Sequence, residues 1–365
     1  MSFPKKHLSE PLLSHKPYTP GIQPNFTERV IKLNTNENPF PPSEKVRKKV
    51  LSEIDSLNLY PNPHSSTLRA CVANLHNLSE DQVIIGNGSD DLLNLCVRCF
   101  AGGTLEVGML APSYSLYEVL ASIQGAKIVG VSFANDDFDL PLQGIAASRA
   151  NLFFLTNPHA PSGKEYGLAD LEKVIENFSG IMVIDEAYAD FASHNSISLL
   201  SKYDNLIITR TLSKSYSLAG LRVGYALASP ALVSVLDQAR EVYNVDRLAQ
   251  AGALAALSDR SYFETTKTQI IKLREELRIE FDHMGWRTIP SGANFLFTQP
   301  NRQGDSGPET AADLYQFLFD REILVRYFPQ NQLTESYLRI SIGKPAEMGI
   351  LMDRIKEWQT QEKRK

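Results

Sequence analysis

Three polar side chains follow short apolar runs of the sequence, at a spacing that could bring them to one place. Asn157 comes shortly after the apolar run 152–155, Asp185 directly follows the run 181–184, and Lys214 comes shortly after 206–208. The intervals between these three residues are 28 and 29 residues, close to the roughly thirty residues of a strand–helix repeat. In an open parallel sheet, ligands bind outside the carboxyl ends of the strands. The pattern therefore predicts that the three side chains share one site.

A carboxylate at the end of an apolar strand, such as Asp185, is costly to bury unless a cation or a hydrogen-bond donor meets it. It could be a structural cap or salt bridge, or it could hold magnesium in a nucleotide hydrolase. The hydrolase would need a Gly-x-x-x-x-Gly-Lys-Ser/Thr loop. The nearest match, around Gly163-Lys164, has Pro158 in place of the first glycine and Glu165 in place of the hydroxyl residue. The sequence therefore argues against a nucleotide hydrolase.

Lys214 lies between Ser213 and Ser215, and on its own it would be interpreted as a surface lysine. Near Asp185 it could instead form a Schiff base with an aldehyde cofactor. That chemistry needs a site that favours the neutral amine, and an acid that partners the ring nitrogen of the cofactor. Asp185 is placed for the second role.

The segment Gly86-Asn87-Gly88-Ser89-Asp90-Asp91 follows a predicted strand and precedes a predicted helix, where backbone amides attract a phosphate. A dinucleotide site would need a third glycine at position 91, where Asp91 would repel a pyrophosphate. Glu106 lies about twenty residues on, as a ribose-binding acid would, so a nicotinamide-dependent oxidoreductase remains an alternative. A single phosphate, with Ser89 adding its hydroxyl, fits the segment better.

These residues need a sheet to position them. The apolar runs 82–85, 127–131, 152–155, 181–184 and 206–208 predict strands buried on both faces, with helical segments between several of them. This is the pattern of an α/β lobe around a mostly parallel sheet.

The composition and the apolar pattern of the sequence change at both ends of that lobe. The proline-rich first 45 residues predict an extended arm. After about residue 245 an amphipathic helix through Ile270, Leu273, Leu277 and Phe281, and strands near 294–297 and 337–340, predict a smaller α+β lobe. We therefore expect an arm over 1–45, a large cofactor-binding domain over 46–245 and a small C-terminal domain over 246–365.

The composition is that of an ordinary globular protein, with 365 residues, 43% apolar and 22% charged. A net charge of −5 argues against a nucleic-acid partner. No apolar run reaches the roughly 20 residues of a membrane span, and residues 1–9 do not resemble a secretory signal. Together with an odd count of three cysteines, this predicts a cytoplasmic protein that does not contact a membrane.

Neither the cysteines nor the histidines predict a metal or redox centre. Cys96 and Cys99 fall within a helix-like run, which favours simple packing over redox chemistry. The seven histidines show no metal-ligand spacing. We expect them, including His64, His76, His159 and His194, to be solvated or incidental.

Several short motifs follow one another along nearly the whole chain. They are Pro17-Tyr18-Thr19-Pro20-Gly21, Leu33-Asn34-Thr35-Asn36-Glu37-Asn38-Pro39, Leu59-Tyr60-Pro61, Asn157-Pro158, Asp185-Glu186-Ala187-Tyr188, Ser213-Lys214 and Leu338-Arg339-Ile340-Ser341. Each is weak alone, but their order and spacing resemble the fold-type I pyridoxal-phosphate aminotransferases, and within them the histidinol-phosphate aminotransferases. The resemblance implies a large lobe with a mostly parallel seven-stranded sheet flanked by helices, and a smaller α+β lobe.

The resemblance implies pyridoxal 5′-phosphate as cofactor and a role for each matching residue. Lys214 would hold the cofactor as a Schiff base and, once freed, shuttle a proton between the substrate Cα and the cofactor C4′. Asp185 would keep the ring nitrogen protonated. Asn157 and Tyr188 would bind the 3′ oxygen of the ring and hold down the pKa of the imine, and Tyr114 would stack on the ring.

The resemblance also implies how the phosphate is held. Its ligands would be Gly88, Ser89, Thr211, Ser213 and Arg222, with Asp90 adding only its backbone amide. Tyr60 would reach the same phosphate from the neighbouring subunit, which implies a homodimer with shared active sites.

Substrate recognition would fall to Tyr18, Asn34, Arg326 and Arg339. The implied reaction is reversible amino transfer between L-histidinol phosphate and 2-oxoglutarate, giving imidazole acetol phosphate and L-glutamate, in histidine biosynthesis. Alternatives with the same cofactor residues are an aromatic-amino-acid aminotransferase and a threonine-phosphate decarboxylase. A non-catalytic pyridoxal-phosphate sensor would need an output module, which we expect at neither terminus.

One loop departs from the common family pattern. The residues after Asn157-Pro158 read His159-Ala160-Pro161-Ser162-Gly163, where many relatives have Asn-Asn-Pro-Thr-Gly. We expect the cofactor chemistry to be kept, because Asn157 and Pro158 are present. His159 could alter the substrate channel.

Overall fold

A computed structural model describes residues 5–24 and 30–361 of the chain. Parts of the predicted arm, residues 1–4 and 25–29, lie outside the described residues. The strands are β1 Ile31–Lys32, β2 Val83–Gly86, β3 Val107–Ala111, β4 Ile128–Ser132, β5 Leu152–Thr156, β6 Ile181–Asp185, β7 Leu206–Thr211, β8 Gly224–Ala228, β9 Arg287–Ile289, β10 Phe295–Gln299, β11 Asn301–Arg302, β12 Asp305–Ser306, β13 Ile323–Leu324, β14 Arg326–Tyr327 and β15 Leu338–Ser341.

Helices alternate with these strands, as expected for an α/β chain. They are α1 Glu44–Ser52, α2 Ser66–His76, α3 Ser89–Phe100, α4 Leu116–Ile123, α5 Leu142–Ala146, α6 Leu168–Glu176, α7 Pro230–Ala239, α8 Arg247–Ser258, α9 Arg260–His283, α10 Pro308–Phe319 and α11 Pro345–Thr360.

A seven-stranded sheet forms the centre of the large lobe, with strand order β2-β8-β7-β6-β5-β3-β4. Strand β8 runs antiparallel to both of its neighbours, and the other pairs are parallel. The predicted α/β class is therefore confirmed. All five predicted strands of this sheet are present, and β3 and β8 are two strands that the apolar runs did not predict.

The alternation of side chains along the central strands fills both faces of the sheet. Phe153 and Leu155 of β5 pack in one apolar cluster, and Leu152 and Phe154 pack in another on the opposite face. Helices cover each face, which is why these strands read as continuous apolar runs.

Strand β4 is an exception to the prediction of strands buried on both faces. It lies at the edge of the sheet beside β3, and its residues alternate between exposed and partly buried. An edge strand has one sheet neighbour and less cover, so a run of β-branched residues does not by itself show that a strand is central.

The small lobe is built on a four-stranded sheet, β14-β15-β10-β9, and on the long helix α9. The predicted amphipathic face of α9 is present: Ile270, Leu277 and Phe281 are buried in the small-lobe core, and Leu273 packs against it. Helix α8, in contrast, packs its alanine face into the large-lobe core. The predicted small-domain start at residue 246 thus precedes a helix that contacts the large lobe.

The cysteines and the described helices bear on two further features of the sequence. Cys71, Cys96 and Cys99 are unpaired thiols, and Cys96 is buried within α3. Among the described residues, no helix is both long and apolar enough to cross a membrane.

Candidate active site

The carboxyl ends of β5, β6 and β7 bring the predicted polar residues to one rim of the sheet. Thr156 of β5 is in register with Asp185 of β6, and Asp185 with Thr209 of β7. The Asn157 backbone N–H donates to the Asp185 carbonyl at 2.9 Å. Lys214 follows β7, and its Nζ lies 6.0 Å from the centre of the Tyr188 ring.

Asp185 is a buried carboxylate, 2% exposed, that is met by donors. The Tyr117 hydroxyl donates to its Oδ2 at 2.7 Å, Thr209 Oγ1 donates to Oδ1 at 3.2 Å, and the Ala187 N–H donates to Oδ1 at 3.3 Å. Burial raises the pKa of Asp185 to about 6, and these hydrogen bonds oppose the rise. Within the described chain no cation pairs with this carboxylate, so it suits a ligand that presents a cationic N–H.

Tyr117 was not selected from the sequence. Its ring stacks on Phe154, with centroids 4.6 Å apart, and its hydroxyl also lies 2.7 Å from Thr156 Oγ1. The ring is edge-on to Tyr114 at 5.5 Å. In the sequence, Tyr117 is an ordinary apolar-face residue of a helix. Its hydrogen bonds to Thr156 and Asp185, at the ends of β5 and β6, show that its hydroxyl reaches the site.

Lys214 lies in a desolvated position against the arm. Its Nζ donates to the Thr35 carbonyl at 3.1 Å. Burial and the nearby Arg339 charge lower the pKa of Lys214 to about 8, although Glu37 acts in the opposite direction. A pKa of about 8 leaves roughly a tenth of the amine neutral at pH 7, far more than the usual value near 10.4 would. This is the condition that Schiff-base formation requires.

Tyr188 and Asn157 flank the same rim. The Tyr188 hydroxyl accepts a hydrogen bond from Asn36 Nδ2 at 2.9 Å. Asn157 is directed along its own loop: its Oδ1 accepts from the Tyr166 N–H at 2.8 Å, and its Nδ2 donates to the Tyr166 carbonyl at 3.3 Å. One amide hydrogen of Asn157 remains for a ligand.

The start of α3 and the segment after β7 form a cradle of donors. Gly88 has φ 81°, and a Cβ added to it would lie 2.6 Å from Arg222 Nη2. Arg222 Nη1 donates to Ser213 Oγ at 3.4 Å, and the Ser213 N–H donates to Thr211 Oγ1 at 3.1 Å. Ser89 is the first residue of α3, where free amides face an anion. These predicted phosphate ligands therefore converge.

The Asp90 side chain lies differently from the expectation, and Tyr60 lies apart from the cradle of its own chain. The Asp90 carboxylate accepts from Arg222 Nη2 at 2.9 Å, so its side chain, besides its amide, belongs to the cradle. Tyr60 is 77% exposed and stacks on Tyr243, with centroids 4.5 Å apart. In the described chain, no hydrogen bond or ring contact joins Tyr60 to the cradle.

The two predicted substrate arginines lie side by side on adjacent strands of the small-lobe sheet, because Arg326 of β14 is in register with Arg339 of β15. Arg339 Nη2 donates to the Asn34 carbonyl at 3.0 Å, but its buried Nε has no partner. Arg326 donates to the carbonyls of Thr19 and Pro20 at 3.4 and 3.5 Å. Among the described residues, neither guanidinium pairs with a carboxylate.

The desolvation of Arg339, together with the lack of a carboxylate partner, indicates an anion site. Burial lowers the pKa of Arg339, and the Arg326 charge lowers it further. The Arg339 guanidinium lies 5.3 Å from the ring centres of both Phe295 and Phe328. A guanidinium held this way presents its fork to a carboxylate or phosphate.

Two further predicted substrate residues, Asn34 and Tyr18, lie in the arm. Asn34 is buried, its Nδ2 donates to the Ile22 carbonyl at 2.9 Å, and its Oδ1 has no partner. Tyr18 is edge-on to Tyr114, with centroids 6.2 Å apart. Asn34 is joined to Arg339 by a hydrogen bond, and Arg326 contacts Thr19, the residue after Tyr18, so the four predicted substrate residues are linked through the arm. Asn34 Oδ1 and Arg339 Nε are the buried atoms among them without a partner in the described residues.

His159 is not solvated. Its side chain is fully buried, within hydrogen-bond distance of the Pro112 carbonyl at 3.1 Å and Ser162 Oγ at 2.7 Å. Burial lowers its pKa to about 3, so the ring is neutral. His76 is also partly buried, 2.9 Å from the Tyr225 hydroxyl. Of the two expected possibilities, solvated or incidental, the solvated one does not hold for these two histidines, because both rings fill interior positions.

The site fits a phosphorylated pyridine aldehyde. The aldehyde of that cofactor suits the lysine with a lowered pKa, and its ring nitrogen suits the buried carboxylate without a cation. Its phosphate suits the donor cradle, which only glycine fits at position 88. No group of three or more metal-ligating side chains was found among the residues described.

Residues 28–355 match the family described as aminotransferase class I and II. Two curated relatives are named histidinol-phosphate aminotransferase. The one from Geotalea daltonii is 44% identical, and the match covers 91% of this chain and 93% of the relative; the one from Microcystis aeruginosa is 42% identical, with 93% and 95% covered.

A solved structure has the same overall fold. It is histidinol-phosphate aminotransferase from Sinorhizobium meliloti in complex with pyridoxal-5′-phosphate, with a TM-score of 0.86 at 25% identity. The match covers 96% of this chain and 98% of that chain.

Proposed function

Because the chain belongs to the aminotransferase class I and II family, we propose that it transfers an amino group reversibly between L-histidinol phosphate and 2-oxoglutarate, as a step of histidine biosynthesis. The products are imidazole acetol phosphate and L-glutamate. The main support is the pair Arg339 and Arg326, two guanidinium groups without a carboxylate partner in the described chain. They lie near Lys214, whose pKa is lowered. The names of the curated relatives support the same substrate.

The cofactor is pyridoxal 5′-phosphate. Membership of the aminotransferase family argues against the two alternatives, a nicotinamide-dependent oxidoreductase and a non-catalytic sensor. When bound, this cofactor supplies an aldehyde that condenses with amines and a ring that accepts electrons from the substrate Cα. The residues that would hold it are Lys214 at the aldehyde, Asp185 at the ring nitrogen, Tyr188 and Asn157 at the ring oxygen, and Tyr114 on the ring face. Gly88, Ser89, Asp90, Thr211, Ser213 and Arg222 would hold its phosphate.

Lys214 and Asp185 divide the proton chemistry. The hydrogen bonds from Tyr117 and Thr209 favour the ionised Asp185 carboxylate, which would keep the ring nitrogen of a bound cofactor protonated. The neutral Lys214 amine would act as the base that accepts the proton of the substrate Cα and, once protonated, as the acid that gives it back. Because the Lys214 pKa is about 8, the amine can accept and release a proton near neutral pH.

Arg339 and Arg326 select the substrates by their anionic groups. The phosphate of L-histidinol phosphate and the carboxylates of 2-oxoglutarate and glutamate are anions that planar guanidinium forks bind. In two successive half-reactions the amino donor and the amino acceptor occupy the same pocket in turn, so one arginine pair serves both.

The complete enzyme in this proposal is a cytoplasmic homodimer with shared active sites. Tyr60 is largely exposed within one chain, and apolar side chains around it are exposed as well, among them Leu51, Ile54, Leu57, Leu59, Val242 and Tyr243. A contiguous patch of this kind marks a protein–protein interface. A second copy would cover it and place Tyr60 at the neighbouring phosphate cradle.

The substrate is tested by single half-reactions of the purified holoenzyme. L-Histidinol phosphate, phenylalanine and threonine phosphate are each mixed with the enzyme without 2-oxoglutarate, and the loss of the visible cofactor band is timed. We expect L-histidinol phosphate to react at least about tenfold faster than phenylalanine. Its phosphate carries more charge and more acceptor oxygens than a carboxylate and can make at least one more charge-assisted hydrogen bond to the arginine pair, worth about 1.5–3 kcal/mol. A faster reaction with phenylalanine would contradict the proposed substrate, and release of carbon dioxide from threonine phosphate would favour a decarboxylase.

A further inference from the structure

Asn36 is a buried residue that sequence reasoning did not select, and it contacts Tyr188. Its Nδ2 donates to the Tyr188 hydroxyl oxygen at 2.9 Å, which is the one hydrogen bond of that hydroxyl among the described residues. Asn36 is 2% exposed and Tyr188 is 8% exposed. Because the phenol oxygen accepts from Asn36, its own hydrogen is left for a different acceptor.

Ser341 fixes the orientation of the Asn36 amide from the other side. The Asn36 backbone N–H donates to Ser341 Oγ at 2.9 Å, and the Ser341 hydroxyl donates to Asn36 Oδ1 at 3.1 Å. With Oδ1 satisfied by that donor, Nδ2 is the atom that faces Tyr188. The Asn36 carbonyl accepts from Asn294 Nδ2 at 2.9 Å, which also fixes the backbone.

The neighbours of Asn36 contact the rest of the site. Arg339 Nη2 donates to the Asn34 carbonyl, and Lys214 Nζ donates to the Thr35 carbonyl. Asn38 Nδ2 donates to the Lys214 carbonyl at 2.9 Å. Residues 34–38, which we call the bridging segment, thus lie against the substrate arginine, the reactive lysine and Tyr188.

We propose that Asn36 is a positioning residue that orients the Tyr188 hydroxyl, so that its hydrogen is donated to the ring oxygen of the cofactor. Asn36 acts by occupying the phenol oxygen as a donor, and Ser341 holds it there from β15, the strand that carries Arg339. This inference rests on the proposed role of Tyr188. A hydrogen bond to the ring oxygen stabilises the negative charge of that oxygen. The nitrogen that joins Lys214 to the cofactor then loses its proton more easily, which lowers the apparent pKa of the visible cofactor band.

The test is a double-mutant cycle read by absorbance. The pH dependence of the visible band is measured for the wild-type holoenzyme, Asn36→Gly, Tyr188→Phe and the double variant. Glycine suits the left-handed backbone of Asn36, φ 56°, so the fold is kept while the amide is removed. The charged groups that face Tyr188, namely Asp185, Lys214 and Arg339, stay unchanged.

We expect Tyr188→Phe to raise the apparent pKa of the band by about one unit, the effect of losing one hydrogen bond to a charged group. Asn36→Gly raises it by no more than that amount, and the double variant matches Tyr188→Phe alone, because Asn36 acts through the phenol. Ser341→Ala, which removes the anchor of Asn36, raises it in the same direction.

The outcomes separate this inference from the proposed function. A pKa that does not move in Tyr188→Phe overturns the role assigned to Tyr188. If Tyr188→Phe shifts the pKa but Asn36→Gly does not, or if the two shifts add in the double variant, Asn36 does not orient the phenol.

Discussion

The Asp185 carboxylate is held in the interior by hydrogen-bond donors. Its pKa of about 6 means that roughly nine-tenths of it is ionised at pH 7, and that it becomes neutral as the pH falls below 6. The Tyr117 hydroxyl supplies the shortest of its hydrogen bonds, at 2.7 Å. The protonation state that the cofactor nitrogen meets therefore depends on Tyr117 as well as on Asp185.

Tyr117→Phe removes that donor and keeps the ring that stacks on Phe154. Loss of a hydrogen bond to a carboxylate costs about 1.5–3 kcal/mol, so the pKa of Asp185 rises by about one unit or more. We expect the affinity for pyridoxal 5′-phosphate, measured by absorbance titration, to fall about tenfold at pH 6–7. The loss should shrink above pH 8, where Asp185 is ionised in both proteins.

The pH dependence provides the control for this variant. A structural defect would weaken cofactor binding equally at every pH, and wild-type affinity at pH 6–7 would show that the Tyr117 hydroxyl does not support Asp185.

Single residues of the site differ in how far the sequence reveals them. Asp185 and Lys214 were predictable, because a polar residue after a buried strand is exceptional and the strand spacing relates one to the next. Tyr117 and Asn36 were not, because an aromatic in a helix and an asparagine in a loop are ordinary. Their roles follow from hydrogen bonds to residues 68 and 152 positions away.

The start of α3 shows how an element supplies a binding site. Gly88 precedes the helix with φ 81°, and the turn of chain brings the first amides of α3 towards Arg222. A helix start with free N–H groups and an adjacent guanidinium favours a phosphate. The glycine is needed both for the left-handed backbone and for the close approach of Arg222.

Gly88→Ala would place a Cβ 2.6 Å from Arg222 Nη2 and displace that side chain from the cradle. The backbone of Gly88, with φ 81° and ψ 168°, lies in a region essentially confined to glycine and adds a cost of about 1–3 kcal/mol for alanine. We expect a lower melting temperature and weaker binding of pyridoxal 5′-phosphate, measured by thermal unfolding and by absorbance titration.

Gly349→Ala is the matched control, because Gly349 lies in α11 and a Cβ there meets nothing within 4 Å. Alanine in a helix interior is favoured by roughly 0.5–1 kcal/mol, so this variant should be as stable as the wild type or more so. Equal cofactor affinity in the Gly88 and Gly349 variants would contradict the role of the cradle.

The strands of the large sheet were predictable to different degrees for a physical reason. Strands β5, β6 and β7 are central, and their apolar runs are long. Strand β3 contains Gly108, and β8 begins with Gly224, where small residues admit close neighbours and weaken the apolar signal. Strand β4 gave a strong signal because its residues are β-branched, although it lies at the edge.

The whole chain assembles one site from two lobes and an arm. The large lobe carries Lys214 and Asp185, the small lobe carries Arg339 and Arg326, and the bridging segment contacts both through Lys214 and Arg339. The sequence motifs that resemble one family, from residue 17 to residue 341, fall in all three of these parts. Tyr60, in contrast, is 77% exposed in a single chain.

Tyr60→Phe tests the proposed dimer. It keeps the stack on Tyr243 and removes the hydroxyl that would reach the neighbouring phosphate. We expect the variant to sediment as a dimer but to bind pyridoxal 5′-phosphate about tenfold more weakly, for the loss of one charge-assisted hydrogen bond. A wild-type monomer at micromolar concentration would contradict the dimer, and wild-type affinity in a dimeric variant would remove Tyr60 from the phosphate site.

The reactive role of Lys214 is the central claim, and Lys214→Ala tests it most directly. Borohydride is added to the wild-type and variant proteins loaded with pyridoxal 5′-phosphate, and covalent attachment of the cofactor is read by mass spectrometry alongside transamination of L-histidinol phosphate. We predict that the wild type retains the reduced cofactor covalently at residue 214, and that the variant shows neither attachment nor measurable transamination. Attachment and transamination at wild-type levels in Lys214→Ala would contradict the account.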